Sequence, residues 1–255
     1  MDLMIDADIL ACQYAYAYEA TRGWDADGAL DMDGAVWDDA GWAISGFDSA
    51  IERMLRETRT EKALLCFTGL DNFRYSILPT YKSNRRGKPK PVLLDALIEH
   101  SRQVWDCKEE DCLEADDVMG IMATRSPGSY VIATTDKDLR QIPGTHYNWR
   151  KRLAEEVTTC AADYWFHFQV LAGDSTDGYS GCPGVGVCKA KAILEGAGED
   201  PWASIVTAFE SKGFAEEDAL IQARVARILR CGDYDFRRRK PILWRPGPEG
   251  ARPDR

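Results

Sequence analysis

The sequence predicts an α/β fold, a parallel sheet covered by helices and followed by a separate helical domain, and three observations carry that prediction. Two short continuous apolar runs, Ala63-Leu64-Leu65-Cys66-Phe67 and Tyr130-Val131-Ile132-Ala133, have the composition of strands buried on both faces. Stretches of helical spacing lie between such runs, and strands alternating with helices build parallel βα units. Beyond about residue 160 only helical periods remain, in Tyr164 to Leu171, Val187 to Leu194, Trp202 to Phe209 and Glu216 to Leu229.

Taken in order, Met4-Ile5 reads as a strand that runs into Asp6-Ala7-Asp8, and Ile9, Leu10, Tyr14 and Tyr16 give the helix packing back on it. Residues 22–46 are rich in Gly, Asp and Trp without a period and read as a surface excursion. Within it Asp25-Ala26-Asp27-Gly28 and Asp31-Met32-Asp33-Gly34 look like the start of calcium loops, but neither reaches the Glu required at the twelfth position, so a solvated acidic loop is expected. Phe47, Ile51, Met54 and Leu55 restore a helix ahead of the 63–67 strand. Pro79 to Pro91 then interrupts the pattern with a basic segment, after which Val92, Leu93, Leu97, Ile98, Val104 and Trp105 keep helical spacing, as do Val118, Ile121 and Met122 within 115–125. The division expected is 1–162 for the α/β core, 163–246 for the helical domain, and a frayed tail over 247–255 that has Pro and Gly but no apolar anchor.

Composition narrows the function classes. No apolar stretch approaches the roughly 20 residues that span a bilayer, and Met1-Asp2-Leu3-Met4 lacks the basic start of a signal peptide, so a cytosolic protein without membrane contact is expected. The eight Cys form no C-x-x-C pair and the three His no ligand spacing, which reads as reduced thiols rather than a zinc site or a disulfide framework. The net charge of −10 resides in residues 1–50, which hold 11 acidic groups against one Arg. The rest of the chain is balanced, so local clusters decide what it binds.

Three clusters carry chemistry. Asp6 follows the first strand; Glu114, Asp116 and Asp117 open a helix; Asp136 and Asp138 follow the 130–133 strand; Asp174 and Asp177 lie in a Gly-flanked turn. Ligand sites of open parallel sheets lie at the carboxyl ends of the strands. Eight carboxylates converging there repel one another unless divalent cations neutralise them, and an oxygen-only donor set favours Mg²⁺ or Mn²⁺. Two such ions activate water and stabilise the leaving oxygen in phosphodiester cleavage. Taken singly, each of these acids also reads as an ordinary helix cap or solvated helix start, Asp8 and Asp138 most of all. The second cluster is Tyr81-Lys82-Ser83-Asn84-Arg85-Arg86-Gly87-Lys88-Pro89-Lys90, five cations in nine residues behind an aromatic. Such a run can track a phosphate backbone while Tyr81 stacks on a base. In the third, Gly184-Val185-Gly186 lies between two helices with Lys189 and Lys191 just beyond, where backbone amides can approach a phosphate of a duplex.

These residues resemble the bacteriophage 5′-3′ exonucleases of the flap endonuclease superfamily, over roughly 1–10 and 60–245 and in the same order. Leu-Pro-Thr-Tyr-Lys-Ser-Asn-Arg (78–85) looks like the family's arch motif; Glu-Ala-Asp-Asp (114–117), Thr-Asp-Lys-Asp (135–138) and Gly-Asp-Ser-Thr-Asp (173–177), followed by Pro-Gly-Val-Gly (183–186), look like its metal and helix-hairpin motifs. The resemblance implies a PIN-like parallel-sheet nuclease core with a basic arch over about 79–113. It also implies an all-helical C-terminal domain with an H2TH/HhH-like hairpin at 181–192. By it, Asp6, Glu114, Asp116, Asp117, Asp136, Asp138, Asp174 and Asp177 bind two Mg²⁺ or Mn²⁺ ions, and Lys82 and Arg85 contact the scissile phosphate. Tyr81, Arg86, Lys88, Gly184, Val185, Gly186, Lys189 and Lys191 hold DNA, with K⁺ at the hairpin as in other members. The implied substrate is DNA with a free 5′ end, flap or nick, with the RNA strand of a hybrid as a further possibility, cut by a monomer in the cytoplasm of a bacterial host. One departure is plain: many members carry an Asp where this chain has Thr68, and Asp71 comes three residues late. Two readings compete. In a phosphatase of the haloacid dehalogenase type, Asp6 would form an aspartyl-phosphate. In a catalytically inactive structure-specific DNA binder, Thr68 would mark the lost activity.

Overall fold

A computed structural model describes residues 1–22, 36–85 and 87–247. Its centre is a six-stranded sheet in the order β3-β2-β1-β4-β5-β6. The strands are β1 (Asp2–Asp6), β2 (Ala63–Cys66), β3 (Asp106–Lys108), β4 (Tyr130–Ala133), β5 (Gly144–Asn148) and β6 (Leu153–Val157). All pairings are parallel except the last, β5 with β6, so the sheet is mixed at one edge.

Leu3, Met4 and Ile5 are wholly buried, which is why β1 shows no polar alternation. Leu3 and Ile5 face the core shared with helices α1 (Ala7–Arg22), α2 (Val36–Thr58) and α4 (Leu94–Val104), which holds Leu10, Phe47, Ile51, Met54, Leu65 and Leu97. Met4 faces the opposite layer, where α5 (Ala115–Arg125) packs Val118, Met119 and Ile121 against Ile132 and Ile142. α3 is a single turn, Arg74–Ile77.

The helical part comprises α6 (Thr159–Ala172), α7 (Val187–Glu195), α8 (Pro201–Glu210) and α9 (Glu216–Ala226) around Phe166, Leu171, Trp202, Ile205 and Phe209. The expected boundary at 162 falls inside α6, whose start is set by Thr158 accepting the Ala161 amide at 3.2 Å. The part is not all-helical, because a short antiparallel ribbon, β7 (Tyr234–Asp235) with β8 (Lys240–Pro241), follows α9.

Two other expectations change. Helix α2 begins at Val36, so the aperiodic stretch ends eleven residues earlier than its composition suggests. The arch proper is short: Leu93, Leu94 and Leu97 are buried in the main core and β3 pairs with β2, which leaves the described residues of 78–92 outside the sheet layers rather than 79–113. The two calcium-like runs, Arg86 and residues 248–255 lie outside the described residues.

Candidate functional site

Parallel strands ending on one side place the ends of β1, β2 and β4 together, and α5 starts beside them. Asp6 closes β1 and is only 2% exposed. Its Oδ1 accepts the Ile9 amide at 3.3 Å and its Oδ2 the Thr134 hydroxyl at 2.9 Å. Thr134 in turn accepts the Asp136 amide at 2.9 Å, and Asp136 Oδ1 accepts the Asp138 amide at 2.8 Å. This chain of bonds fixes the turn after β4. Burial, then the charge of Asp8, pushes the Asp6 carboxyl up to about 7. Burial and then Asp6 and Asp136 raise Asp116 well above the carboxylate range, and burial with Asp136 raises Asp138 to about 6. Asp6, Asp116 and Asp136 enter no ion pair among the described residues, so only hydrogen bonds and the more distant charge of Lys82 offset their mutual repulsion.

The other acids face cations. Glu114 is the N-cap of α5. It accepts Lys82 Nζ and, at 2.9 Å, the Tyr81 hydroxyl, with Arg74 at 3.4 Å. Burial works to raise it, but Lys82 and Arg74 hold it below its ordinary value. Asp177 accepts Arg85 at 2.6 Å and Tyr81 at 3.2 Å, with Lys82 at 3.6 Å. Asp174 accepts Lys137 at 2.7 Å and Lys137 also reaches Asp138 at 3.1 Å. The acids of the helical part thus meet those of the core across Lys82, Arg85 and Lys137.

The loop that carries Asp174 and Asp177 depends on glycine. Gly173 and Gly181 have φ of 67° and 63°, and a Cβ on either would lie 2.4 Å or 2.3 Å from the backbone of the other side of the loop. The Asp174–Tyr179 bridge closes between them. The basic segment is tied to this loop through Lys82 N to Asp177 O at 2.8 Å and Asn84 Nδ2 to Thr176 O at 3.1 Å.

Two sequence-predicted residues need correction. Tyr81 is 2% exposed and packs among Tyr179, Phe166 and the helical core, so it cannot stack on a base; its hydroxyl orients Glu114 and Asp177 instead. Asp117 is fully buried and both its oxygens are filled. Oδ1 takes Arg74 Nη2 at 2.8 Å and the Leu229 amide at 3.0 Å, Oδ2 takes Arg74 Nη1 at 2.6 Å and the Glu114 amide at 3.2 Å, and no lone pair is left for a metal.

Arg74 was not identified from the sequence as a site residue. It is 2% exposed and also donates to the Val225 carbonyl at 2.9 Å and the Arg227 carbonyl at 2.6 Å. Its signal was the cation in Asn72-Phe73-Arg74, a buried-Arg environment that composition does not reveal.

Away from the acids, Gly184 (φ 73°) and Gly186 form the turn before α7, with Val185 7% exposed as its apolar anchor. Lys189 and Lys191 are exposed, and Lys189 Nζ donates to the Gly184 carbonyl at 3.0 Å. Lys88 is exposed on the basic segment.

The donor set is all oxygen, and no three His, Cys, Asp or Glu among the described residues are close enough to hold one ion in this arrangement. The acids without salt-bridge partners nevertheless fit divalent cations in chemistry: they are hard oxygen ligands in mutual repulsion, and the hydrogen bonds that hold Asp6 and Asp136 leave further lone pairs.

Residues 3–164 match the family model described as 5′-3′ exonuclease, N-terminal resolvase-like domain. The chain is 31% identical over 294 residues to an exonuclease of Escherichia phage T7, covering 90% of this chain and 97% of that one. It is 30% identical over 296 residues to an exodeoxyribonuclease of Enterobacteria phage T3, covering 90% and 96%. Its fold matches that of the T5 5′-exonuclease with bound divalent zinc, at TM-score 0.67 and 15% identity over 89% of each chain. With the matched domain, the full-length likeness to the phage enzymes and the acids gathered at the strand ends, the chain belongs to the 5′-3′ exonuclease family of DNA nucleases.

Proposed function

We propose that this nuclease hydrolyses DNA phosphodiesters at a free 5′ end, a nick or a flap with two divalent cations, Mg²⁺ or Mn²⁺. Asp6, Asp116 and Asp136 would hold one side of the metal pair, with Glu114, Asp138, Asp174 and Asp177 the other. The observation that carries this reading is the trio of the buried Asp6 and the partly buried Asp116 and Asp136, left without a salt-bridge partner among the described residues, with the cationic Lys82 and Arg85 on the neighbouring acids. When bound, the cations supply neutralisation of charge on the attacking and leaving oxygens.

The chain's own residues do the rest. Lys82 and Arg85, at the mouth of the acidic crevice, bind the scissile phosphate and stabilise the charge that grows on it. Thr134 holds Asp6 and orients the Asp136 turn. Asp117 and Arg74 position Glu114 rather than bind metal. Lys88, Arg86, Lys189, Lys191 and the Gly184–Gly186 amides grip phosphates of the substrate, and a K⁺ at the hairpin would compete with Lys189 for the Gly184 carbonyl. The proposal extends to the RNA strand of a hybrid, because every contact assigned is to phosphate, and to a monomer acting in the cytoplasm of a bacterial host, because one chain supplies the whole site. A T5 flap endonuclease solved with DNA and metal ions, at TM-score 0.60 and 14% identity, has the same fold.

The test is cleavage of a 5′-labelled flap and a nicked duplex, each with and without Mg²⁺. Mononucleotides from the recessed end indicate exonuclease and a released flap indicates endonuclease. No metal-dependent cleavage of either would overturn the proposal and favour the inactive binder.

A further inference from the structure

Thr68, the departure noted in the sequence, sits at the end of β2 with its neighbours defined. Its amide donates to Asp8 Oδ2 at 3.0 Å and its Oγ1 accepts the Ala115 amide at 3.1 Å. One threonine therefore joins the β1–α1 turn, the end of β2 and the start of α5. Asp8 does not do what an acid in a first helical turn usually does. The α1 amide of Ile9 is taken by Asp6, and the Asp8 oxygen is turned sideways to Thr68.

We propose that Asp8 supplies from α1 the carboxylate that position 68 lacks, with Thr68 as its clamp, so that the acid count of the metal site is kept while its origin moves from β2 to α1. Asp8 acts on the metal pair through a bound water or by orienting Glu114 and Asp6, and is a positioning residue. The inference rests on the proposed metal-dependent nuclease reading. It also removes the only support for an inactive binder, since Thr68 then marks an exchange of carboxylates and not a loss.

The experiment is Mn²⁺ binding to the full chain, followed by electron paramagnetic resonance. It compares wild type, Asp8→Asn, Asp8→Thr, and the exchange variant Asp8→Thr with Thr68→Asp. Groups that orient metal ligands contribute about 10–100-fold to metal affinity. Asp8→Asn and Asp8→Thr are expected to weaken Mn²⁺ binding at least about ten-fold, and the exchange variant to recover most of it, because the carboxylate returns from the opposite side of the same contact. Asp8→Asn keeps the side-chain size and the bond from the Thr68 amide, so it reports on charge even where Asp8→Thr folds poorly. Wild-type affinity in Asp8→Asn, or an exchange variant no better than Asp8→Thr, would overturn the assignment. Wild-type protein that binds Mn²⁺ but cuts neither flap nor nick refutes the nuclease reading instead, so the two failures are separable.

Discussion

Replacing Asp6 by Asn is expected to make the metal-free protein more stable at alkaline pH while abolishing cleavage. Burial and Asp8 raise the carboxyl from 3.8 to about 7. The folded protein thus keeps a proton on Asp6 that the unfolded chain releases, and stability falls as pH rises from about 4 to about 7 and stays low above it. The shift is about three pH units at 1.36 kcal/mol each, an upper bound of roughly 4 kcal/mol, and the coupling to Asp8 and Asp136 makes about 2 kcal/mol a safer expectation. Asn also loses part of one bond, because its amide must donate where Oδ2 accepts the Thr134 hydroxyl, about 1 kcal/mol in the other direction. The net gain at pH 8 is then about 1–3 kcal/mol, a rise in Tm of roughly 2–10 °C for a chain of this size. Urea denaturation in EDTA at pH 4.5 and pH 8 measures it, with wild type and variant compared at each pH. The difference should be near zero or negative at the lower pH and positive at the higher. A variant less stable than wild type at pH 8 would show that the Asp6 charge is not a burden in the folded state, and the reasoning from repulsion to metal would fall with it.

Lys82→Ala is expected to lower single-turnover cleavage by about 100-fold while DNA affinity in Ca²⁺ changes little, whereas Lys88→Ala should weaken binding and reduce the salt dependence by about one ion; equal rates at saturating DNA would make Lys82 a mere electrostatic guide. Arg74→Met breaks a buried pair and leaves Asp117 with an unpaired charge, so a loss of about 3–5 kcal/mol is expected by urea titration; a variant as stable as wild type would refute the tie. Gly173→Ala should abolish metal-dependent activity through a backbone clash at 2.4 Å, while Gly184→Ala, which has open space, should cost only about 1 kcal/mol of strain and mainly weaken duplex binding. Circular dichroism and a fixed-salt binding assay separate the two.

The legibility of this chain in its sequence differs by kind of residue. Apolar strands such as Ala63–Cys66 and Tyr130–Ala133 announce themselves, because burial on both faces leaves no polar alternation. β3 and β5 do not, since Asp106-Cys107-Lys108 and Gly144-Thr145-His146-Tyr147-Asn148 are short and largely polar, and are paired only because the neighbouring strand fixes their register. Asp116 and Asp117 look identical in sequence, but one turns to the strand ends and the other into Arg74, a difference set by the helix face and by the α9 carbonyl of Val225, 151 residues from Arg74 in the chain. The arch aromatic misleads for the same reason: Tyr81 has a basic neighbourhood in sequence but a hydrophobic one in space.

The reach of Arg74 bears on how such chains can be recombined. Its guanidinium joins the first turn of α5 to the carbonyls of Val225 in the last turn of α9 and Arg227 just after it, and Tyr81 buries its ring in the helical core while touching Glu114. The family-matched segment, residues 3–164, therefore has no clean seam against the rest. Cut there, it would expose a desolvated arginine and an aromatic ring, and lose Asp174 and Asp177 with them. Grafting the catalytic half onto another DNA-binding partner would thus require a partner that presents carbonyls and a cleft of its own, which makes the two halves one cooperative unit.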